Sequence, residues 1–451
     1  MMRVIALLLC IGLPVAGIFS CGDQSNGEEQ DASQEQDVSA EDGASPPEPL
    51  SWSSPENISN TAGFSDIKIN WGNSMALGAD GAVHVAWREV FNVQDDVIDA
   101  KIVHRRLSGG AWSDAQDISD VEPGTGHPKI AASGSHVYIA WHTYFPAPAA
   151  DDRINLSVSA SDGGPATFSA PQIVVADAHR SSLNLLHELS STPSIAAAGD
   201  RVYIVWPDER NVEACGMEVS EIYLRSSPDR GESWENVLRV SEPDCRSSWT
   251  PSAAAFGDVV HVAWTDDRHN ASDCGLSGSL CREEEYYRRL TDNGAAPGPA
   301  DVRLTHDAPG SEVQSWAPNI TALGELVHVV WFDKSGGDDF EVYHLRSTDR
   351  GQSWPEQAHQ LSAHEPGCAS ARPTVAACGS QVHVVWFDIC GDDEALVYHA
   401  WSNDRGATWS DFSDVTSGTG VFAIQPYVAC HDGRVHVVWT DSGEIYYAAS
   451  G

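Results

Sequence analysis

The chain has 451 residues, and its 65 acidic against 26 basic residues give a formal net charge of −39. A surface with this charge repels nucleic acids and anionic membranes, and it favours solubility, cations or basic partners. The length alone would suggest two or three domains of ordinary size.

The first twenty residues are typical of an export signal. Arg3 precedes an apolar run, 4–19, that is too short to span a bilayer comfortably. The run ends in Ile18-Phe19-Ser20-Cys21, which resembles the lipobox of bacterial lipoproteins. This resemblance implies a lipoprotein signal peptide over residues 1–20 and a lipidated Cys21. The protein would then be exported and anchored by lipid to the cell envelope, at the outer membrane. An ordinary signal peptide followed by an incidental cysteine is the alternative.

Residues 21–50 are predicted to form a disordered tether. Positions 22–49 are acidic, rich in Gln, Ser, Pro and Gly, and contain no basic residue. Such a segment cannot bury enough apolar area to fold.

From residue 51 onward the chain repeats one unit. An alternating run typical of a half-buried strand ends each time in tryptophan, at intervals of 53–67 residues. These anchor residues are Trp87, Trp141, Trp206, Trp264, Trp331, Trp386 and Trp439. A short strand starting at a proline precedes most copies, and two more strands follow. A four-stranded antiparallel sheet repeated in this way predicts an all-β fold, a seven-bladed β-propeller over residues 51–451.

The seventh copy is incomplete, because residues 426–449 supply only three strands before the chain stops. The missing outer strand is found at the other end of the domain. Residues 51–59 match the fourth strand of the first copy, 111–119. We therefore expect the N-terminal strand to complete the last blade and close the ring, which removes open sheet edges.

Eight cysteines remain when Cys10 and Cys21 are set aside, and an even number in an exported chain favours disulfides. Cys378 and Cys430 end the inner strands of neighbouring blades, so they are expected to pair. Cys368 and Cys390, on loops of one face, form a second plausible pair. The connectivity of the other four is open: Cys215, Cys245, Cys274 and Cys281. Zinc is the weaker interpretation, because the sequence has no CxxC pair.

A turn of the form Ser-x-Asp-x-Gly-x-(Ser/Thr)-Trp occurs at 227–234, 347–354 and 402–409. It resembles the Asp-box, or BNR repeat, of sialidases and related propellers. The carboxylate can accept backbone N–H groups, and the glycine supplies a positive φ. The resemblance implies a structural turn on the face opposite the catalytic site. Its structural residues here are Asp229, Gly231, Trp234, Asp349, Gly351, Trp354, Asp404, Gly406 and Trp409.

Sialidase activity requires more than the turn. The resemblance implies three arginines that clamp the substrate carboxylate, a tyrosine nucleophile with a glutamate, and an aspartate as acid/base. The positions that precede the inner-strand prolines contain one arginine: His127, Thr192, Thr250, Ala317, Arg372 and Gln425. The catalytic propeller of that family also has six blades. Both departures favour a non-catalytic protein.

Acidic residues gather on the loops of one face. The motif Trp-x-Asp supplies Asp208, Asp266, Asp333, Asp388 and Asp441, and Glu221, Glu341 and Glu444 begin third strands. We expect these carboxylates to cap loop amides at strand ends. The alternative is calcium, a hard cation that takes carboxylate and carbonyl oxygens. Its first candidate ligands are Asp338, Asp339, Asp392 and Asp393.

Aromatic and basic residues near the channel mouth are the candidates for ligand binding. Trp249, Trp316, Tyr144 and Tyr427 could stack on a sugar ring or a peptide, or fill space between blades. Arg210 and Arg268 follow acidic residues and could pair with them or meet a ligand. Arg372 is the strongest candidate for contact with an anion. The recurring histidines of the alternating strands are interpreted as scaffold: His84, His261, His328, His383 and His436.

These patterns predict a surface-anchored, monomeric propeller that binds a glycan or an envelope protein without catalysis. It would not bind nucleic acid and would meet the membrane only through its lipid. The alternative is an exo-α-sialidase or another glycoside hydrolase, with Arg372, Asp266, Arg268 and Tyr427 as catalytic candidates. A purely structural envelope protein with a plugged channel is a third hypothesis.

Overall fold

The structure is a computed structural model. It describes residues 46–60, 64–66, 74–94, 97–144, 152–160, 167–176, 193–210, 215, 219–268, 283–298, 300–305, 314–335, 339–363, 367–390, 394–416 and 422–451. The predicted signal peptide, Cys21 and most of the predicted tether lie outside these residues. The described part contains no helix with the length and hydropathy that a bilayer crossing requires.

The described strands form seven separate antiparallel sheets, one per predicted repeat. The inner strands are Met75–Leu77, Lys129–Ser133, Ser194–Ala198, Ser248–Phe256, Ser315–Leu323, Cys368–Cys378 and Ala423–His431. The second strands are Val83–Gln94, His136–Thr143, Arg201–Asp208, Val259–Asp266, Leu326–Asp333, Gln381–Cys390 and Arg434–Asp441. The third strands are Val97–Ser108, Arg153–Ala160, Glu221–Ser227, Glu284–Thr291, Glu341–Ser347, Ala395–Ser402 and Glu444–Ala449.

The outer strands are short and sometimes split in two. In chain order they are Ala111–Trp112 with Gln116–Asp117, Thr167–Phe168 with Gln172–Val175, Leu238–Arg239, Ala296–Pro297 with Val302–Arg303, His359–Gln360, Ser413–Asp414 and, for the last blade, Glu56–Asn57. The first sheet has two further strands, Phe64–Asp66 and Glu122–Pro123. Blades are numbered here from 1 to 7 in the order of their inner strands.

One stretch of every inner strand lines a single channel of about 320 Å³. The lining segments are 75–77, 130–132, 195–197, 253–255, 320–322, 375–377 and 428–430. Contributions from all seven sheets to one axial cavity confirm the seven-bladed propeller. We call the end of the blades where inner strands begin the loop face, and the end where they turn into second strands the box face.

The ring closes as predicted. Glu56 and Asn57 pair with Tyr447 and Tyr446 of the last third strand. The Ile58 N–H donates to the Ile445 carbonyl at 2.8 Å, and Trp52 bridges to Ser450. The N-terminal strand thus supplies the outer edge of blade 7.

The anchor tryptophans form the centre of each sheet and are at most 2% exposed. In blades 3 to 7 each one lies opposite a third-strand tyrosine, and the two rings stack with centroids 6.1–6.4 Å apart. Cross-strand aromatic pairs stabilise a sheet beyond the area they bury. The alternating pattern therefore fixes both the strand register and the apolar face that meets the next blade.

The recurring histidines are buried and hydrogen-bonded across the second and third strands. His84, His328 and His383 pair through Nδ1 with the Nε2 of another histidine, at 3.0, 3.0 and 3.1 Å. In blades 4 and 7 the partner is a tyrosine hydroxyl, and both distances are 2.7 Å. The third-strand partners are His104, His344, His399, Tyr287 and Tyr447. Their burial and pairing agree with a scaffold role.

The three complete Asp-boxes are closed by their own side chains. In blade 5 the Asp349 carboxylate accepts the N–H groups of Gln352 and Ser353, both at 2.9 Å. The Gly351 N–H donates to the Ser347 hydroxyl at 2.9 Å, and its φ is 75°. The Trp354 ring packs edge-on against Tyr287 of blade 4, with centroids 4.9 Å apart. The box of blade 5 therefore also locks this blade to the preceding one.

Both predicted disulfides are present, namely Cys368–Cys390 and Cys378–Cys430. A third links Cys215 to Cys245, which resolves part of the connectivity that the sequence left open. Cys274 and Cys281 lie outside the described residues.

Candidate functional site

Four inner strands carry the same bulge at the loop face. The residue before the proline has a positive φ in blades 4 to 7, and the pairing register shifts there. These buried residues are Thr250, Ala317, Arg372 and Gln425, with φ of 55°, 69°, 52° and 61°. Left-handed backbone costs about 1–2 kcal/mol for a residue with a Cβ. The bulges place strained residues at one mouth of the channel.

The residue after each proline joins neighbouring inner strands. Ser194 Oγ, Ser252 Oγ and Asn319 Oδ1 accept backbone N–H groups of the next blade at 3.0–3.2 Å. The Thr374 hydroxyl donates to the Pro426 carbonyl at 3.2 Å. This belt of hydrogen bonds holds the bulges at fixed positions around the axis.

Lys129 takes this belt position in blade 2 and reaches across blade 1. Its Nζ donates to the Tyr427 hydroxyl of blade 7 at 3.1 Å and lies 5.2 Å from the ring centroid. Lys129 is fully buried and Tyr427 is 4% exposed. Tyr427, a predicted catalytic and stacking residue, is thus engaged with a buried lysine side chain.

Other basic side chains are buried at the same end of blades 1 and 2. Arg88 donates to the Thr125 carbonyl at 3.3 Å, and His127 precedes the inner-strand proline. His142 lies against Gly126, where a Cβ would come within 2.0 Å of its ring. We call the set Arg88, His127, Lys129, His142 and Arg372 the basic mouth. All five are at most 8% exposed, in a chain with a net charge of −39.

Sequence reasoning missed most of the basic mouth. It identified Arg372, but it did not single out Arg88, Lys129 or His142 as ligand-binding candidates. One signal was available for Lys129: the position after the proline holds small polar residues or tyrosine in the other blades, as at Ser194 and Thr374.

Two predicted site arginines are held in local clamps instead. Arg210 forms a two-pronged ion pair with Asp208 at 2.7 and 2.9 Å, and Arg268 does the same with Asp266 at 2.6 and 2.8 Å. The clamping carboxylates also accept the indole N–H of the anchor tryptophans, at 2.9 and 3.0 Å. Arg268 further contacts Asp301 at 2.8 Å. These contacts give both motifs a structural role.

The glutamates that begin third strands bind hydroxyl groups at the end of the outer strand. Glu221 accepts from Ser241 at 2.5 Å, and Glu341 and Glu444 accept from Ser362 and Ser59. Burial raises the pKa of Glu221 to about 7. The carboxylates therefore tie the third strand to the fourth.

The remaining candidates are spread over the loop face. Trp249 and Trp316 are half-buried and stand just before the bulge residues of blades 4 and 5. Tyr144 pairs with Gly124, its N–H donating to the Gly124 carbonyl at 2.9 Å. Asp339 accepts the Gly367 N–H at 2.9 Å. The other calcium candidates, Asp338, Asp392 and Asp393, lie outside the described residues.

No protein-family model and no curated protein matches the chain. An ulvan lyase from a new family of polysaccharide lyases is similar in structure, with a TM-score of 0.54 at 11% identity over 85% of this chain and 94% of that one. The same lyase bound to -[GlcA(1-4)Rha3S]- gives 0.52 at 11% over 86% and 94%. A Trypanosoma rangeli sialidase gives 0.47 at 12% over 88% and 59%. At 11% identity the likeness to the lyase shows a shared fold.

Proposed function

We propose that the protein binds an acidic glycan at the basic mouth and that it does so without catalysis. The observation that carries the proposal is the charge of this site. Five buried basic side chains gather at the loop face of a chain that is otherwise strongly acidic. The guanidinium groups of Arg88 and Arg372 stay charged even when buried, and charges held in a partly dry site attract carboxylate or sulfate groups much more strongly than charges in water do.

The sugar rings of the ligand would contact aromatic side chains at the edge of the loop face. Trp249 and Trp316 keep part of their surface exposed beside the bulges of blades 4 and 5. Stacking on an aromatic face suits the apolar side of a pyranose ring. The ligand would thus place its acidic group over the mouth and a neighbouring ring on one of the tryptophans.

The use of the carboxylates weighs against glycoside hydrolysis. That reaction requires two carboxyl groups about 5–10 Å apart across a pocket. Asp208 and Asp266 are clamped to arginines, and Glu221 and Glu341 bind hydroxyl groups of their own blades. Among the described residues these candidates serve the scaffold.

Export and lipidation at Cys21 are part of the same proposal. A monomeric propeller tethered by residues 21–50 would present its loop face to glycans outside the cell. Mass spectrometry of the purified protein, with and without Cys21→Ser, tests the anchor: an acyl mass on the native N-terminus supports it, and an unmodified cysteine contradicts it.

Arg372→Ala is expected to weaken binding of a glucuronate-containing oligosaccharide about 10–100-fold, because a hydrogen bond to a charged group is worth about 1.5–3 kcal/mol. Isothermal titration calorimetry gives the affinity. Arg230→Ala is the matched control, since Arg230 lies in an Asp-box on the opposite face, paired with Asp200 at 2.7 Å. Equal losses in both variants, or equal binding of a neutral oligosaccharide, would contradict the proposal.

Cleavage of such a glycan is the second candidate function. The imidazoles and guanidinium groups of the basic mouth, together with the Tyr427 phenol beside Lys129, suit proton abstraction next to a uronate carboxylate better than hydrolysis. The same oligosaccharides, incubated with the protein, distinguish the two. New near-ultraviolet absorbance from an unsaturated uronate indicates a lyase, new reducing ends without it indicate a hydrolase, and neither supports binding alone.

A further inference from the structure

Two sulfur atoms and an imidazole meet at the junction of blades 6 and 7. Cys378 ends the inner strand of blade 6, and Cys430 lies in the inner strand of blade 7. One ligand atom from each cysteine and one ring nitrogen of His383 lie within 4.8 Å of one another. The described residues contain no second group of three such side chains with this spacing. The site is near the box face, away from the basic mouth.

His383 is oriented for a ligand on one side of its ring. The side chain is fully buried, and its Nδ1 is hydrogen-bonded to His399 Nε2 at 3.1 Å. Its Nε2 is buried and has no hydrogen-bond partner in the structure. Histidines that bind metals are held in this way, with the second nitrogen fixed by a partner outside the site.

The buried Nε2 without a hydrogen-bond partner recurs at the same position in several blades, whereas the two neighbouring cysteines occur beside His383. His84 and His328 have the same hydrogen bond and the same buried, unpaired Nε2. Of these three, the one beside cysteines is His383. The scaffold thus supplies a pre-oriented imidazole in several blades, and the interblade disulfide adds soft ligands to one of them.

We propose that reduction of the Cys378–Cys430 disulfide creates a site for one thiophilic metal ion, such as Zn²⁺, bound by the two thiolates and His383 Nε2. A dithiol reductant transfers two electrons and two protons to the disulfide and is itself oxidised to a disulfide. The metal ion then replaces the two thiol protons, which pass to solvent. Zinc commonly takes sulfur and imidazole ligands in a tetrahedral arrangement.

The surroundings of the two cysteines leave room both for reduction of the disulfide and for binding of the metal ion. Cys378 and Cys430 are half-buried, so a small dithiol can reach them. Cys430 also lines the axial channel of about 320 Å³, and a water molecule in that cavity can take the fourth coordination position. The propeller would bind metal only under reducing conditions, because a disulfide offers no thiolate.

Cobalt(II) is a spectroscopic probe for the site. The full chain is reduced with a phosphine, freed of reductant without oxygen, and titrated with cobalt(II). We expect thiolate-to-cobalt absorption that saturates at one ion per chain, and none for the oxidised protein. Cys378→Ser/Cys430→Ser should abolish the band although the other cysteines remain. His383→Gln should weaken binding at least about tenfold, and the matched variant His328→Gln should leave it unchanged.

Two results would overturn the proposal: a band that survives in the double cysteine variant, or equal affinities in His383→Gln and His328→Gln. If the double variant does not fold, X-ray absorption of zinc bound to the reduced wild-type chain decides the question. Two sulfur ligands at about 2.3 Å together with nitrogen at about 2.0 Å support the site. A shell of sulfur alone, or of nitrogen and oxygen alone, contradicts it.

Discussion

Replacing Gly351 with alanine is expected to lower the free energy of unfolding by about 2–5 kcal/mol. Gly351 has a φ of 75°, and the left-handed region costs about 1–2 kcal/mol for alanine. An added Cβ would also lie 1.8 Å from the Tyr287 hydroxyl of blade 4. That hydroxyl is buried and bonded to His261 Nδ1 at 2.7 Å, so it cannot move without breaking the pair. Overpacking of this kind adds about 1–3 kcal/mol.

Gly324→Ala separates the two contributions. Gly324 is in a turn of the same blade, has a φ of 66°, and has no atom within 4 Å of an added Cβ. The free energy of unfolding of Gly324→Ala should therefore fall only by the cost of the left-handed backbone, about 1–2 kcal/mol. Urea unfolding of the oxidised proteins, followed by tryptophan fluorescence, measures both. Equal losses would mean that the Asp-box does not lock blade 5 to blade 4.

The sequence was sufficient for the architecture because its signals are local. Trp331 marks the alternating second strand of blade 5, and the box at 347–354 marks the turn after the third strand. The strands of each repeat can therefore be read from its own residues. The residue against which Trp354 packs could not be predicted from the sequence of its own repeat. Its ring packs on Tyr287 of the preceding blade, a contact set by how the sheets stack around the axis.

The candidate site was less predictable because its contacts join distant parts of the chain. Lys129 and Tyr427 are separated by 298 positions and meet across blade 1. Arg372 was identified from its position before a proline. The bulge there and the positive φ of Arg372 could not be predicted from the residue type, because the chemically different Thr250, Ala317 and Gln425 have the same backbone conformation. Arg210 and Arg268 each pair with the aspartate two positions before them. The sequence alone did not decide between this local pairing and contact with a ligand.

The buried histidine pairs predict acid sensitivity. Burial, and next the charge of Arg346, lowers the pKa of His328 to about 3, whereas an unfolded histidine titrates at about 6.5. Below that pH the unfolded chain takes up a proton that the folded chain does not. The stability contributed by neutral His328 is therefore present above about pH 6.5 and declines as the pH falls towards the folded pKa, by about 1.4 kcal/mol per pH unit.

His328→Gln removes this titration and keeps a neutral polar side chain. The difference in unfolding free energy between wild type and variant should shift in favour of the variant by about 3 kcal/mol between about pH 7 and about pH 4. Burial raises the pKa of Glu221 and Asp267 to about 7 and about 6, which has the opposite pH dependence, but these groups are the same in both proteins and cancel in the difference. Urea unfolding at a series of pH values measures the shift. A difference that does not vary with pH would show that His328 takes up a proton in the folded propeller as readily as in the unfolded chain, and the assignment of a buried pair of neutral histidines would then be wrong.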